Sequence, residues 1–519
     1  INSCEISSQL IKIKFFNRLQ FSMEPRPKWT RLLVWSTLGS TIGAGVPCGY
    51  CMGVINSPAA HMRAWCEATL LANYGLRLTP ATLDTLWALI VSIFLIGGIL
   101  GSACAGWAAN RFGRRGCILL SACLLGVAAT GFLSCRLLQS VELLLLSRLV
   151  VGFGAGLVST TLPMYHSEIA ALPQRGTLGV CCSVGFSIGI VVAQLCTLES
   201  LLGGEQQWHI ALGFYLVFMA ICFAPFRWYA ESPKWLFIVR RRREEALHML
   251  ARLRGSDCGL QQEVLAMEQE AASKCRTRSL LEVLRDGKML LPLLLLCAYQ
   301  GGQQLSGCSS IFYYSVSIFL GSGLSPRTAE WLNLAAGNVN LLTSLMGPLL
   351  MAKFNRRTLM LLSSSCCGLL MFAFGWLVEY GVSIKLIPNF SWCCSLFVCL
   401  QRLIPWLSFG STACVFLYLF FFQLALGPMP SFIGAELFEV PSRSVALSLG
   451  NQVGWGCNFL VGFLFPTVHA LLGFWVFILF SIFSGLLYLL TKFYLPETRG
   501  REVSLVAQLV SRGFHSKVL

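Results

Sequence analysis

Apolar runs of about 20 residues recur along almost the whole chain, separated by short polar stretches rich in Arg, Lys, Gly and Pro. They fall at 32–56, 85–107, 116–136, 142–163, 177–198, 208–229, 289–319, 330–352, 358–378, 403–430, 442–467 and 471–494. In helical form a run of that length covers a hydrocarbon core about 30 Å thick. The pattern predicts an all-α polytopic membrane protein with twelve transmembrane helices. Between the sixth and seventh runs lies a single sizeable hydrophilic piece, 230–288, where Arg240 to Arg254 and Glu263 to Glu270 have helical period. These read as short amphipathic helices at the membrane surface, not as a catalytic domain. The expected organisation is a tail at 1–31, a six-helix bundle at 32–229, the linker, a second bundle at 289–494 and a tail at 495–519. The first run reads as a retained span and not a cleavable signal peptide. The chain opens on Ile1 and its first methionine is Met23, the pattern of a gene-model extension or a fragment edge.

The two bundles repeat one plan. Asn110-Arg-Phe-Gly-Arg-Arg115 returns as Ala352-Lys-Phe-Asn-Arg-Arg357, and Glu168, seven residues before Arg175, returns as Glu436, seven before Arg443. Ala230-Glu-Ser-Pro233 returns as Pro496-Glu-Thr-Arg499. The first pair is offset by 242 residues (110 to 352) and the second by 268 (168 to 436), which places an insertion between Arg357 and Glu436. Its expected home is an extra outer loop at about 379–402, carrying the glycosylation sequon Asn389-Phe-Ser391. A spurious exon is the competing reading, because Phe390 to Leu400 is apolar for an external loop.

Composition agrees: 55% hydrophobic, 12% charged, mean hydropathy +0.69. The net charge of +16 gathers in loops that share one side of the membrane, which makes it a topology signal with both termini cytoplasmic and not a nucleic-acid surface. The 23 cysteines lie mostly in apolar spans, where thiols behave as small hydrophobes. Cys48-Gly-Tyr-Cys51 has redox spacing, but it lies within the first span and outside any βαβ context. There is no G-x-x-x-x-G-K-[ST] motif, no metal-ligand spacing and no nucleophile–base constellation, so no cofactor, ATP or enzyme activity is expected.

What asks for chemistry is the polar content of the seventh run, Tyr299-Gln300-Gly301-Gly302-Gln303-Gln304-Leu305-Ser306-Gly307, running on to Tyr313-Tyr314. Amides at that depth must face protein or a watery cavity. Spaced three and four apart, Gln300, Gln303 and Gln304 share a helical face. Neutral donor–acceptor groups suit an uncharged polyhydroxylated ligand, although bonds between neighbouring helices would satisfy them as well. Gly427-Pro428-Met429-Pro430 interrupts the tenth run, as a bending gate or as a static packing kink.

With these residues assembled, the chain resembles the sugar porter family of the major facilitator superfamily, and most of all animal facilitative glucose transporters. The resemblance spans about Val34 to Val503. It rests on Gly49-Tyr50 with Gly53-Val-Ile-Asn-Ser-Pro58, Asn110 to Arg115, Pro163-Met-Tyr165 with Glu168 and Arg175-Gly176, and Glu231-Ser-Pro-Lys-Trp235. Gln303-Gln-Leu-Ser-Gly307 with Phe312-Tyr-Tyr314, Gly427-Pro-Met-Pro430 with Ala435-Glu-Leu-Phe438, and Pro496-Glu-Thr-Arg-Gly-Arg501 complete the ordered set. The resemblance implies the major facilitator fold, two pseudo-symmetric six-helix bundles that move a small sugar through the bilayer by alternating access. Implied sugar contacts are Gln194, Gln303, Gln304, Asn340, Trp455 and Asn458, with Tyr313 and Tyr314 as outer gate. Arg114, Arg115, Glu168, Arg175 and Glu231 in one half would form an inner salt-bridge latch, matched by Arg356, Arg357, Glu436, Arg443 and Glu497 in the other. Ala352 replaces a usual acid, which implies a weaker second latch.

Elsewhere the family pattern fails: Ser183 stands for a usual glutamine, Ser309 for asparagine, Gln423 for glutamate, Ser431 for tryptophan and Gly454 for asparagine. These swaps imply a wider cavity less committed to glucose. Cys51 stands where proton-coupled relatives carry an acid, and no Asp or Glu lies near the middle of a span, which favours downhill uniport of a hexose or similar sugar at the plasma membrane. A different polyol or disaccharide as substrate, or a sugar sensor on the same fold, are the alternatives.

Overall fold

The computed structural model describes residues 28–223, 228–255, 260–272, 279–313, 319, 325–386, 394–510 and 513. Among them there is no strand. Tyr314 and Asn389 lie outside the described residues, as does most of the N-terminal tail.

Helix α1 runs Arg31–Ser40, passes through a π turn at Thr41–Gly45 and continues as Val46–Gly53. An outer helix, α2 (Ala59–Tyr74), precedes α3 (Pro80–Cys135), which has 56 residues, far too many for a single crossing. Gly113, at φ 86°, reverses α3 into two passes, a backbone position that disfavours any side chain. Then follow α4 (Val141–Ile169), α5 (Leu172–Cys196) and α6 (Trp208–Phe223). The linker holds α7 (Arg243–Arg254), α8 (Leu260–Ala272) and α9 (Leu280–Arg285, closed by a Ser279/Glu282 capping box). The second bundle comprises α10 (Gly287–Gln303, extended by a π turn at Gln304–Cys308), α11 (Pro326–Lys353), α12 (Arg356–Leu386), α13 (Cys394–Leu424) and α14 (Met429–Leu437). It ends with α15 (Val440–Leu472) and α16 (Trp475–Tyr494), before a short α17 (Val503–Val510).

Seven helices among the described residues are long and apolar enough to cross a membrane, α3 crossing twice and α13–α14 forming one pass. With α1, α6, α10 and α15 these make the twelve expected passes. The expected loop at 379–402 differs. Helix α12 persists to Leu386 and α13 begins at Cys394, and Leu396-Phe-Val-Cys-Leu400 holds neither Gly nor Pro to break it.

Buried apolar side chains form two main clusters, one centred on α1–α6 and one on α10–α17. Within the first, α3 packs on α4 and α1 on α5. Within the second, α12 packs on α13 and α16, and α10 on α15. The clusters meet along two seams, α3 against α15 and α5 against α11. Trp35, Trp107, Leu146, Leu349 and Leu369 lie exposed on the outside, a surface suited to lipid.

Candidate functional site

The seventh pass abandons regular α geometry where its amides cluster. A π turn occupies Gln304–Cys308, and Gly307 within it adopts φ 99°. Such bulges widen the helix and turn side chains off its regular face. Gln300, Gln303 and Gln304 all line a cavity of about 180 Å³ between the bundles, room for roughly a dozen waters. Gln194 from α5, Asn340 from α11, Trp455 and Asn458 from α15, and Tyr313 line the same space. So do the five positions that depart from the family pattern, Ser183, Ser309, Gln423, Ser431 and Gly454. No Asp, Glu, Lys, Arg or His is among the lining residues.

The amides are partly spent on the protein. Gln303 Nε2 donates to the Gly427 carbonyl (2.6 Å), at the break between α13 and α14, and Gln300 Nε2 donates to Pro430 (3.0 Å). Ser309 donates to Gln304 Oε1 (2.6 Å) and Tyr313 to Asn458 Oδ1 (3.1 Å). Across the bundle boundary, Asn340 Nδ2 donates to Ser187 Oγ (3.1 Å), Gln423 Nε2 to Ser183 Oγ (2.9 Å) and Trp455 Nε1 to Ser159 Oγ (3.1 Å). Two buried acceptors, Gln194 Oε1 and Asn340 Oδ1, have no protein partner, and a buried polar atom left so costs about 1–3 kcal/mol. Both belong to cavity-lining residues but are themselves closed off from the cavity, so a side-chain rotation must turn them towards it before a hydroxylated ligand or water satisfies them. Gln194 also depends on Gly337, since a Cβ there would come within 2.2 Å of Oε1. Ser159, Ser187, Asn56 and Asn451 add to the polar lining; Asn56 belongs to the Gly53–Pro58 motif, while the other three carry no sequence signal beyond small polar residues in apolar runs.

One end of this cavity, the end with the basic loops, is closed by charge. Glu168, buried in α4, accepts from Arg114 Nε (2.8 Å) and Nη2 (3.0 Å), from the Ser232 hydroxyl, and from Arg443 Nη1 of the other bundle (3.1 Å). Glu231 receives the backbone N–H groups of Arg114 (3.1 Å) and Arg115 (3.2 Å). The second bundle repeats this: Glu497 receives those of Arg356 (3.1 Å) and Arg357 (3.2 Å), and Glu436 pairs with Arg356 and Thr498. The Arg356–Glu436 contact is single and long, 3.4 Å.

Three expectations change. Arg443 does not pair with Glu436 in its own half; it reaches across to Glu168, so the latch ties the bundles together. Among the described residues Arg175 forms no ion pair, and Glu168 accepts instead from Arg114, Arg443 and Ser232. Its neighbour Gly176 is what meets the latch, leaving room for Arg356 Nη2 where a Cβ would sit 2.1 Å away. Arg115 directs Nη1 to the backbone carbonyl of Tyr229, and Arg357 directs Nη2 to that of Lys492 in the last turn of α16.

A residue unmarked by the sequence joins them. Glu270, near the end of α8, bonds Lys234 Nζ (2.7 Å) and the backbone N–H of Val440 (2.7 Å) and lies 3.9 Å from Arg443. Burial would raise its carboxyl, but Lys234 and Arg443 hold it down to about 2. Burial lifts Glu231 above its ordinary value against the pull of its N–H donors.

Two pseudo-symmetric helical bundles around an uncharged cavity, latched at one end, define a major facilitator carrier. Solved structures share the fold. The proton:xylose symporter XylE bound to 6-bromo-6-deoxy-D-glucose matches with TM-score 0.76 at 20% identity, covering 92% of this chain and 99% of that one. The inward-open XylE from E. coli matches at TM-score 0.64. The chain belongs to the family described as Sugar (and other) transporter, whose model matches residues 38–509, a family of carriers and not of enzymes. It is 34% identical over 498 residues to facilitated glucose transporter member 3 of Ovis aries, covering 95% of this chain and 94% of the relative. It is 32% identical over 501 residues to member 1 of Gallus gallus, covering 95% and 96%.

Proposed function

We propose that the chain is a facilitative uniporter for a hexose or a sugar of similar size, working by alternating access at the plasma membrane with both termini cytoplasmic. The observation that carries this reading is the cavity itself: amide, hydroxyl and indole groups, two of them with unsatisfied acceptors, and no ionisable side chain on the wall. Hydroxyl-rich neutral solutes exchange hydrogen bonds with such groups at little net cost, so they bind weakly enough to leave. With no carboxylate on the wall, no lining group loads a proton together with the sugar. The relatives named facilitated glucose transporters support the substrate class. The basic loops flanking the latch support the orientation.

Gln303, Gln304, Gln194, Asn340, Trp455 and Asn458 are the proposed sugar contacts, Tyr313 with Tyr314 the outer gate, and the break at Gly427, Pro428 and Pro430 the moving part of the tenth pass. The test is counterflow of labelled D-glucose and D-fructose in proteoliposomes with Gln303→Ala/Gln304→Ala. Loss of two hydrogen-bonding arms should lower exchange roughly tenfold or more at matched protein level. Undiminished exchange of the best substrate would show that the sugar passes elsewhere.

A further inference from the structure

Arg148, inside α4, is 2% exposed, and among the described residues no carboxylate pairs with it. Its Nε donates to the Ile90 carbonyl of α3 (3.3 Å) and its Nη1 to Cys51 (3.1 Å), one of the last carbonyls of α1. Its guanidinium carbon also lies 4.7 Å over the Phe94 ring. Capping a helix end accounts for the hydrogen bonds but not for the stacking. Away from water, a cation held over a ring fixes that ring's plane more firmly than it does at a surface.

Phe94 in turn meets Trp455 edge to face, with centroids 5.6 Å apart and planes at 78°. Trp455 belongs to the other bundle and lines the cavity. Its indole is bounded by three groups of the first bundle: Ser159, which takes its N–H; Gly98, where a Cβ would lie 2.5 Å from the ring; and Phe94. Ser159 and Gly98 set where the indole sits. Phe94 is the one aromatic ring among the three, meeting the indole edge to face, and Arg148 stacks on it.

We propose that Arg148 is a positioning residue for the sugar site: stacked on Phe94, it fixes the tilt of the Trp455 indole presented to the cavity without touching the ligand. The assignment rests on Trp455 being a sugar contact, so its test includes an arm that needs no sugar. In the purified full-length protein, the emission lost in Trp455→Phe isolates the signal of this indole. Arg148→Met and Phe94→Leu should each make that component roughly two- to fivefold more quenchable by acrylamide, the scale of one lost aromatic contact. Arg148→Lys, which keeps the charge but not the planar stack, should fall between.

In equilibrium exchange of D-glucose the same variants should raise KM by roughly two- to tenfold with little change in maximal rate, and the double variant should be no worse than the poorer single one. An unchanged Trp455 component in Phe94→Leu, which leaves both Arg148 hydrogen bonds in place, would overturn the proposal even if Arg148→Met fails to fold. Additive KM effects would overturn it as well. A shifted Trp455 component in a protein that neither binds nor exchanges D-glucose would uphold the aromatic relay and remove the sugar reading instead.

Discussion

Arg443→Met removes the ion pair that joins the bundles at the closed end and spares the pairs within each. Arg443 is 2% exposed and gives Nη1 to Glu168 (3.1 Å) and Nε to the Phe438 carbonyl (3.0 Å). Glu168 keeps both Arg114 bonds and Ser232, and Glu270 keeps Lys234, so neither carboxylate is stranded. A buried hydrogen bond to a charged partner contributes about 1.5–3 kcal/mol. Lost from the closed state alone, that amount shifts the equilibrium towards opening at the basic end by roughly ten- to a hundredfold. Cys182 and Cys308 line the cavity and report on it. In vesicles exposing the basic end, a membrane-impermeant maleimide should modify them faster in Arg443→Met by about that factor, read by peptide mass spectrometry. Arg443→Lys should rescue part of the effect, since it keeps the charge but not the planar geometry. An unchanged rate, or faster modification from the opposite side, would refute the latch as the closing element.

Two further outcomes follow from single contacts. Gly337→Ala should displace the Gln194 side chain, whose Oε1 would be 2.2 Å from the new Cβ, and raise KM about three- to tenfold while expression stays normal; a KM equal to wild type would place Gln194 outside the site. Glu270 has a depressed carboxyl, so its contribution is present above the ordinary 4.5 and lost only as pH falls towards about 2. Maleimide attack itself slows as thiolate is lost at low pH, so the readout is the ratio of the Glu270→Gln rate to the wild-type rate from the basic end, which should exceed one and stay flat between about pH 5 and pH 8; a ratio that falls to one at the acid end of that range would contradict the assigned ion pairs.

The passes were legible because bilayer thickness imposes a run length, and a run length survives in a bare sequence. The repeated charges were legible for a related reason: Glu231 and Glu497 receive the same pairs of backbone N–H groups, so the same local residues recur. What stayed hidden depends on how bundles meet. Arg443 lies seven residues after Glu436, yet it bonds Glu168, 275 positions away, and nothing local signals that. Glu270 looked like one more charge on an amphipathic helix until α8 was placed against the start of α15. Ser159 and Ser187 resemble any small residue in an apolar helix, and their hydroxyls matter because an indole and an amide of the opposite bundle end on them. The repeat offset locates an insertion between Arg357 and Glu436 without saying what shape it takes, and the start of the helix at Cys394–Leu424 fills part of it.

The bond from Gln303 to the Gly427 carbonyl has a further consequence. That carbonyl lies where the tenth pass loses its helical continuity, so the side chain proposed as a sugar contact also fastens the adjoining elbow. The Gln303 amide nitrogen carries a second N–H beside the one given to Gly427, so a hydroxyl arriving in the void can bind it while the elbow stays fastened. A passenger and the joint then share one nitrogen, and a shift of the amide towards either is felt by the other.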